Sequence, residues 1–544
     1  MKSSFADLLS FDAVAAAGRN TKFDPIELEI LWKRLISVVD EASAAFVRTC
    51  FSTLVRDGND FAIVLTDAQG RSLAQSTMSL PGFIGCLPAT VRHFLQKFPA
   101  ETIKPGDVFI TNDPWKGSGH VHDVTTATPI FNKGKLVAFA AVVSHLPDIG
   151  GKLRSNSSRE IYEEGLQIPL MKLFDAGQPN EILIEIISQN VRVPEQGMGD
   201  IYAQVSGCRT MGERLQGLLE TVNLDDLGAE VRMRSENAMR EAIRAIPDGV
   251  YRSSVQHDGF DEPIRIECEL TVRGEKIDID YTGTSPQLLH ALNVVPIYTF
   301  AYTVYGLKAL LCPDIPNNEG SFLPISTSAP LGSLLNPTYP AASGGRSAIG
   351  HLLPAAVFKA LAGVLPDKVW ASGSPNSSMT MSGEYRKKRF AVVNFLNAGQ
   401  GATSRRAGFS ALSFPANLGN TPVEMMETLA PIRVLRREIR RGSGGEGHNA
   451  GGCGISFEFE MLPDASEVTA SFLMTQLKTP TAGLDGGGSG KPGQLVINGE
   501  KTDPTAPRVL RAGDRILMET AGGGGYGPRP AASKPTKKGS VSHD

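Results

Sequence analysis

The stretch GHVHDVTTATPIFNKGKLVAFAAVVSH, residues 119–145, decides how this chain is read. Two apolar, β-branched runs, 124–131 and 135–143, flank Asn132-Lys133-Gly134, a hairpin turn signal. In a hairpin turning at Lys133-Gly134, facing residues have numbers that sum to about 267 or 268. Asp123 therefore faces Ser144 or His145, with Cβ atoms about 4.5–5.5 Å apart. A carboxylate and an imidazole at that separation can share one divalent cation. His120, after the loop Lys116-Gly117-Ser118-Gly119, can bend back as a third ligand. Two histidines and one aspartate leave coordination positions open, as a catalytic metal requires. Two alternatives stay open: His122 and His145 as the facing pair, or the whole set as surface or hydrogen-bonded core residues. Asp148, in His145-Leu146-Pro147-Asp148-Ile149-Gly150-Gly151, either orients an imidazole or starts a turn.

Outward from the hairpin, the pattern predicts a mixed α+β, multi-domain chain. Asp24-Pro25 is an N-cap followed by proline at the first helical position. Leu28, Leu31, Leu35, Ile36 and Val39 follow with helical periodicity, which predicts a helix to about Thr49. Residues 61–65 and 71–74 read as a hairpin, 88–98 as a short helix and 107–111 as a buried strand. Residues 181–246 are mostly helical in pattern. From 250 to 282 the chain turns strand-like, with Ile264, Ile266, Cys268 and Leu270 alternating against polar residues, and 298–311 is helical again. These shifts predict an extension over 1–23 and an N-terminal α/β domain over 24–248 that carries the hairpin site. A central α/β domain follows over 249–440, then a β-rich, glycine-rich region over 441–528 and a disordered tail over 529–544.

Composition excludes several classes. Charge is near balance at −3 and no long basic run appears, which argues against nucleic acid as a partner. No stretch of about 18 apolar residues exists, so no membrane span is expected. The first twenty residues lack the apolar core of a signal peptide. The six cysteines, Cys50, Cys86, Cys208, Cys268, Cys312 and Cys453, form no CxxC pair and read as reduced, mostly buried thiols of a cytoplasmic protein. The 57 glycines are the unusual feature, and many lie in the C-terminal hundred residues. Gly486-Gly487-Gly488-Ser489-Gly490-Lys491-Pro492 fails as a phosphate loop, because Asp485 and Pro492 stand where glycine and Ser or Thr are needed. Tight turns between strands account for it, and close backbone approach suits glycine there. Cys86 has no activating base nearby and reads as structural. Arg433, Arg436, Arg437, Arg440 and Arg441 read as a solvated strand edge or a subunit contact.

Several motifs resemble one family. Asn112-Asp113-Pro114-Trp115 followed by Gly119-His120-Val121-His122-Asp123-Val124 is similar to the central motif of the hydantoinase B family. That family includes N-methylhydantoinase, 5-oxoprolinase and lactamase subunits and the alpha subunit of acetone carboxylase. His145-Leu146-Pro147-Asp148-Ile149-Gly150-Gly151 resembles its next motif. The likeness continues through Glu163-Glu164-Gly165-Leu166-Gln167-Ile168-Pro169, Asn190-Val191-Arg192-Val193-Pro194-Glu195, Cys312-Pro313-Asp314-Ile315-Pro316 and Asn420-Thr421-Pro422-Val423-Glu424. It ends in Arg441-Gly442-Ser443-Gly444-Gly445 and Gly522-Gly523-Gly524-Gly525-Tyr526-Gly527, covering about residues 23–528. Two positions depart from the pattern. Phe83 replaces a histidine of many members, and Leu146 replaces the second of a histidine pair.

The resemblance implies a metal held by His120, Asp123 and His145, the same set that the hairpin argument selects. It also implies a fourth acidic ligand on the first long helix, Asp40 or its neighbour Glu41. One divalent ion is expected, with manganese, zinc and iron all suited to the donors. The implied partner is an A-type subunit that binds ATP and magnesium and phosphorylates the substrate, in a heterotetramer of two A-type and two B-type chains. The implied activity is hydrolysis of a cyclic amide by this B-type subunit, with His122 and Asp148 as the catalytic candidates. The alternatives are the alpha-type subunit of a ketone carboxylase and a non-catalytic scaffold.

Overall fold

A computed structural model of the protein describes residues 22–529, apart from Ser413, Asp464 and Ser466. The expected tail and nearly all of the expected N-terminal extension lie outside the described residues. The fold is mixed α+β, and the described residues build four sheets.

The first sheet takes β1 (Phe61–Asp67), β2 (Ser72–Gln75), β3 (Val108–Thr111), β4 (Asp123–Asn132), β5 (Lys135–His145), β6 (Met171–Asp175) and β7 (Gln178–Pro179), in spatial order β2-β1-β5-β4-β3-β6-β7. The hairpin β4–β5 is its centre. Asp123 pairs with His145, and the register sum is 268 until a bulge after Ile130 shifts it to 267, with Asn132 opposite Lys135. Lys133 and Gly134 both take positive φ in the turn, which glycine adopts at no steric cost. All seven residues of β1 are buried, because both faces of the sheet are covered. On one face Phe61, Ile63 and Leu65 meet α1 (Pro25–Thr49) and the later α5 (Pro194–Leu219). On the other, Ala62 and Val64 meet α3 (Cys86–Lys97) together with Val393 and Phe395 from the far half of the chain. The short α2 (Thr53–Arg56) joins α1 to β1. The α1 start is capped as its sequence predicts: Asp24 accepts from the backbone N–H groups of Ile26 and Glu27.

Helices α4 (Glu181–Asn190), α5 and α6 (Leu224–Arg244) lead to the second sheet, β8 (Gly249–His257), β9 (Ile264–Arg273), β10 (Lys276–Asp280) and β11 (Ile325–Ser328). In β9, Ile264, Ile266, Cys268 and Leu270 are buried and their neighbours are not, the period-2 pattern of a one-sided strand. This sheet packs on α7 (Pro296–Leu311) and α9 (Leu353–Leu361), with the single turn α8 (Ser347–Gly350) between them.

Two further sheets interleave along the chain. Their strands are β12 (Ser377–Tyr385), β13 (Lys388–Leu396), β14 (Ile432–Ile439), β15 (Ile455–Met461), β16 (Val468–Leu473), β17 (Gln494–Ile497), β18 (Glu500–Lys501), β19 (Arg508–Leu510) and β20 (Arg515–Glu519), with α10 (Val423–Leu429) before β14. The orders are β13-β12-β16-β19 and β14-β15-β20-β17-β18. Strand β12 pairs with β16 and β14 with β15, so sheet pairing runs straight across the boundary expected at 440. The arginines of β14 sit on an edge strand, where Arg433 pairs with Glu460 and Arg436 with Glu458.

The glycine-rich segments are not simple turns. Residues around 399–408, 443–454, 482–490 and 522–527 run beside one another, and their backbones hydrogen-bond directly. Gly445 N–H donates to Gly523, Gly523 to Gly452, Gly452 to Gln400 and Gly525 to Gly488. A Cβ on Gly523 would lie 2.1 Å from the Gln400 carbonyl oxygen, and one on Gly451 would lie 2.0 Å from that of Gly523. Glycine is required there for close backbone approach. The glycines pack on each other, which corrects the expectation of separate inter-strand turns.

Candidate metal centre

Asp123 opens β4 and His145 closes β5, so the hairpin register alone brings them together. His120 reaches them from the preceding loop, whose backbone is tied down by Asn112: its Nδ2 donates to Val121 O at 2.7 Å and its Oδ1 accepts from Ile168 N at 2.6 Å. This explains the Asn of the Asn112-Asp113-Pro114-Trp115 motif as a brace for the site. His120 Nε2 lies 2.7 Å and His145 Nδ1 3.2 Å from the same oxygen, Oδ1 of Asp123. The other oxygen, Oδ2, accepts from Ser118 Oγ at 2.8 Å and from the Arg346 guanidinium at 2.6 Å. Gly119 lets Arg346 past: its φ is +107°, and a Cβ there would meet Arg346 Nε at 2.6 Å.

His120, Asp123 and His145 are all buried, and one ligand atom from each lies within 4.8 Å of the others. The donor chemistry fits a single cation. His120 Nδ1 faces the Gly344 carbonyl at 3.4 Å. In the tautomer that donates there, Nε2 turns a lone pair toward Asp123 Oδ1, and two acceptors so placed call for a proton or a metal between them. Burial, then the positive charge of Arg346, holds the His120 imidazole well below its usual pKa. It is therefore neutral at pH 7, the state that ligates. Burial alone would raise the Asp123 carboxyl, but His120 and Arg346 more than reverse this and hold it well below the carboxylate range.

His122 joins the group. Its ring centre is 5.1 Å from that of His120 and 5.4 Å from that of His145, on which it stacks at 7°. Its buried Nδ1 has no hydrogen-bond partner among the described residues, and burial keeps the ring neutral. Asp148 lines a small cavity together with His122 and His145, but both its carboxylate oxygens are taken by Arg192, one by the backbone N–H and one by the guanidinium. Its visible work is to hold the 146–151 loop. Asp40 stands apart from the cluster. It accepts from Thr77 N at 2.8 Å and from the Thr77 hydroxyl, because α1 directs that turn toward the end of β2. Glu41 pairs with Arg214 at the surface.

Several site residues carried no sequence signal that singled them out. Asp60, just before the apolar run of β1, lies with Oδ2 4.0 Å from His145 Nδ1. Burial pushes its carboxyl up to about 6. Arg346 lies 223 positions from its partner Asp123. Glu164 accepts from the backbone N–H groups of Ser343 and Gly344 at 3.0 and 2.6 Å, and burial raises it to about 7. Phe83 and Leu146, the two departures from the family pattern, are buried in apolar clusters. Cys86 is buried too, with its thiol pushed up to about 12 by burial.

Fold and cluster together define a class: a mixed α+β protein with a buried group of two imidazoles and one carboxylate at the head of a central hairpin. The chain belongs to the hydantoinase B/oxoprolinase family, whose sequence profile matches residues 24–529. It is 30% identical to the B-type subunit of the putative D-/L-hydantoinase of Pseudomonas sp. (strain NS671), over 95% of this chain and 92% of the relative. Among solved structures, it resembles the ATP-dependent caprolactamase from Pseudomonas jessenii with a TM-score of 0.86 and 26% identity, over 94% of this chain and 93% of that one. Acetone carboxylase shares the fold, with a TM-score of 0.83 at 19% identity, over 93% of this chain and 76% of that one. Among the described residues, no helix is long and apolar enough to cross a membrane.

Proposed function

We propose that this chain is the B-type subunit of an ATP-dependent cyclic amide hydrolase, active with an A-type subunit that phosphorylates the substrate. The observation that carries this reading is the buried His120, Asp123 and His145 cluster in a chain 30% identical, over nearly its whole length, to the B-type subunit of a hydantoinase. Kinship to an ATP-dependent caprolactamase supports the ATP requirement.

An amide resists water because it is resonance-stabilised and its nitrogen leaves poorly. Phosphorylation of the carbonyl oxygen by the partner would turn it into an activated imidate. A divalent cation held by His120, Asp123 and His145 would supply Lewis acidity, favouring ionised water and drawing charge from the attacked carbon. Manganese, zinc and iron all suit these donors. Arg346 and Ser118 hold one oxygen of Asp123, which keeps the other aimed between the two imidazoles. His122, neutral and with a free Nδ1, is the group placed to accept a proton from water. Asp148 acts through Arg192 as a positioning residue for the wall that carries His145.

The test is co-purification with the A-type subunit, metal analysis, and ATP turnover against hydantoins, lactams, 5-oxoproline and ketones, with and without bicarbonate. Turnover stimulated by a cyclic amide without bicarbonate is expected. His120→Ala should abolish it and lower the metal content while leaving assembly intact. Full activity of His120→Ala, or turnover that requires a ketone and bicarbonate, would overturn the proposal.

A further inference from the structure

Beside the cluster lies a partly open cavity whose lining includes His122, His145, Asp148, Arg154, Thr380 and Val393. Arg154 is its unusual wall. The side chain is 7% exposed, yet no carboxylate pairs with it among the described residues. Its three hydrogen bonds all go to neutral acceptors: Nε to the Gly344 carbonyl at 2.9 Å, and the two terminal nitrogens to Ser378 Oγ and Ser347 Oγ, each at 3.1 Å. A guanidinium has five N–H donors, so two remain. Buried charges are normally paired, because leaving one alone in a low-dielectric interior is costly. The contrast with Arg346 is direct, since that neighbour is matched by Asp123.

Two more groups on the same wall are unsatisfied. Thr380 Oγ1 and His122 Nδ1 are both buried and have no hydrogen-bond partner among the described residues. Thr380 and His122, each with an unpartnered polar atom, thus line the same small cavity as Arg154, whose guanidinium has donors to spare. The charges point the same way. Asp60 and Asp123 are the carboxylates that attract Arg154, and Arg346 is the cation that opposes it. Glu164, which also interacts with both guanidiniums, adds a third acid to these two, and a divalent cation in the cluster would still leave the pocket with an excess of positive charge.

We infer that Arg154, with Thr380, forms an oxyanion subsite beside the metal centre, and that the compound bound there presents a carboxylate or phosphoryl group to it. The inference deepens the proposed function and rests on it for the nature of the neighbouring reaction. The shared chemistry has two sources: a carboxylate on the substrate itself, or the phosphoryl group that the partner installs. Either would complete the fork of Arg154 with charge-assisted hydrogen bonds, and a neutral amide would not.

The test is calorimetric binding to the full-length chain of three probes: inorganic phosphate, 5-oxoproline, and 2-pyrrolidinone as the matching lactam without a carboxylate. At least one anionic probe should bind tighter than 2-pyrrolidinone by roughly tenfold to a hundredfold. Arg154→Gln should remove that preference. Arg154→Lys should keep part of it, and Thr380→Val should weaken it severalfold. The latter two decide the matter if Arg154→Gln fails to fold. Phosphate alone binding assigns the subsite to the phosphoryl group, and 5-oxoproline alone assigns it to the substrate's carboxylate. No anion preference, or a preference unchanged in these variants, overturns the inference. ATP turnover with 5-oxoproline and with a neutral cyclic amide that are both indifferent to Arg154→Gln would overturn it too, and would leave the proposed function standing. Anion binding without any ATP-coupled turnover would do the reverse.

Discussion

Asp123 is held from four sides, by Ser118, His120, His145 and Arg346. Arg346 is 3% exposed, so removing the carboxylate leaves a guanidinium buried without its partner. Asp123→Asn should therefore cost about 3–5 kcal/mol in metal-free protein, the usual cost of breaking a buried pair from one side. Urea denaturation measures it, and a loss below about 1 kcal/mol would mean that Arg346 finds another partner. His351 makes a second residue-scale prediction. Burial, then repulsion from Arg346 and Arg154, lowers its pKa from 6.5 to about 3. Between those values the unfolded chain holds a proton that the folded chain refuses. This contribution is fully present above about pH 6.5, is lost as pH falls, and levels off near 3. The slope is about 1.4 kcal/mol per pH unit. Denaturation of His351→Asn and of the wild type at pH 7.5 and 5 should show the variant losing less on acidification; parallel losses would exclude His351 as a source.

At the scale of elements, legibility depended on whether side chains carried the pattern. The hairpin could be read because alternating apolar runs and a glycine turn fix both strands, and the register followed by arithmetic to within the one-residue shift made by the bulge after Ile130. Helix α1 could be read from its cap and period. Strand β12 could not, since Ser377, Ser378, Thr380 and Ser382 interrupt the apolar alternation while still being mostly buried. Part of the site was invisible for a related reason: Arg346 meets Asp123 through topology, with no local spacing to announce it. The glycine segments could be read as far as close backbone approach and no further, because a run of glycine has no side-chain period at all. Gly523→Ala should destabilise by about 1–3 kcal/mol or more, as overpacking does, because the new methyl meets a carbonyl oxygen at 2.1 Å. Gly217→Ala, on the exposed face of α5 near its end with nothing within 4 Å, should instead stabilise by about 0.5–1 kcal/mol. Melting curves of the two variants test the contrast, and equal shifts would refute it.

On the scale of the whole molecule, the cluster belongs to no single segment of chain. Its three candidate ligands come from 120–145, but Arg346 and the Gly344 carbonyl arrive from beyond residue 340. Val393 and Phe395 cover one face of the same sheet, and Glu319 pairs with Arg92 across the α3 edge. A fragment of residues 24–248 should thus fail to reach a native core, although it contains every proposed ligand; a fragment that melts cooperatively and takes up metal would prove otherwise. The backbone-to-backbone packing of the glycine segments has a further, spectroscopic consequence. The amides of Gly445, Gly452 and Gly523 donate to carbonyls of buried residues although they lie in neither helix nor strand. Circular dichroism would count this region as coil. Hydrogen–deuterium exchange would find it among the slowest parts of the chain, so the two methods should disagree there about what is ordered.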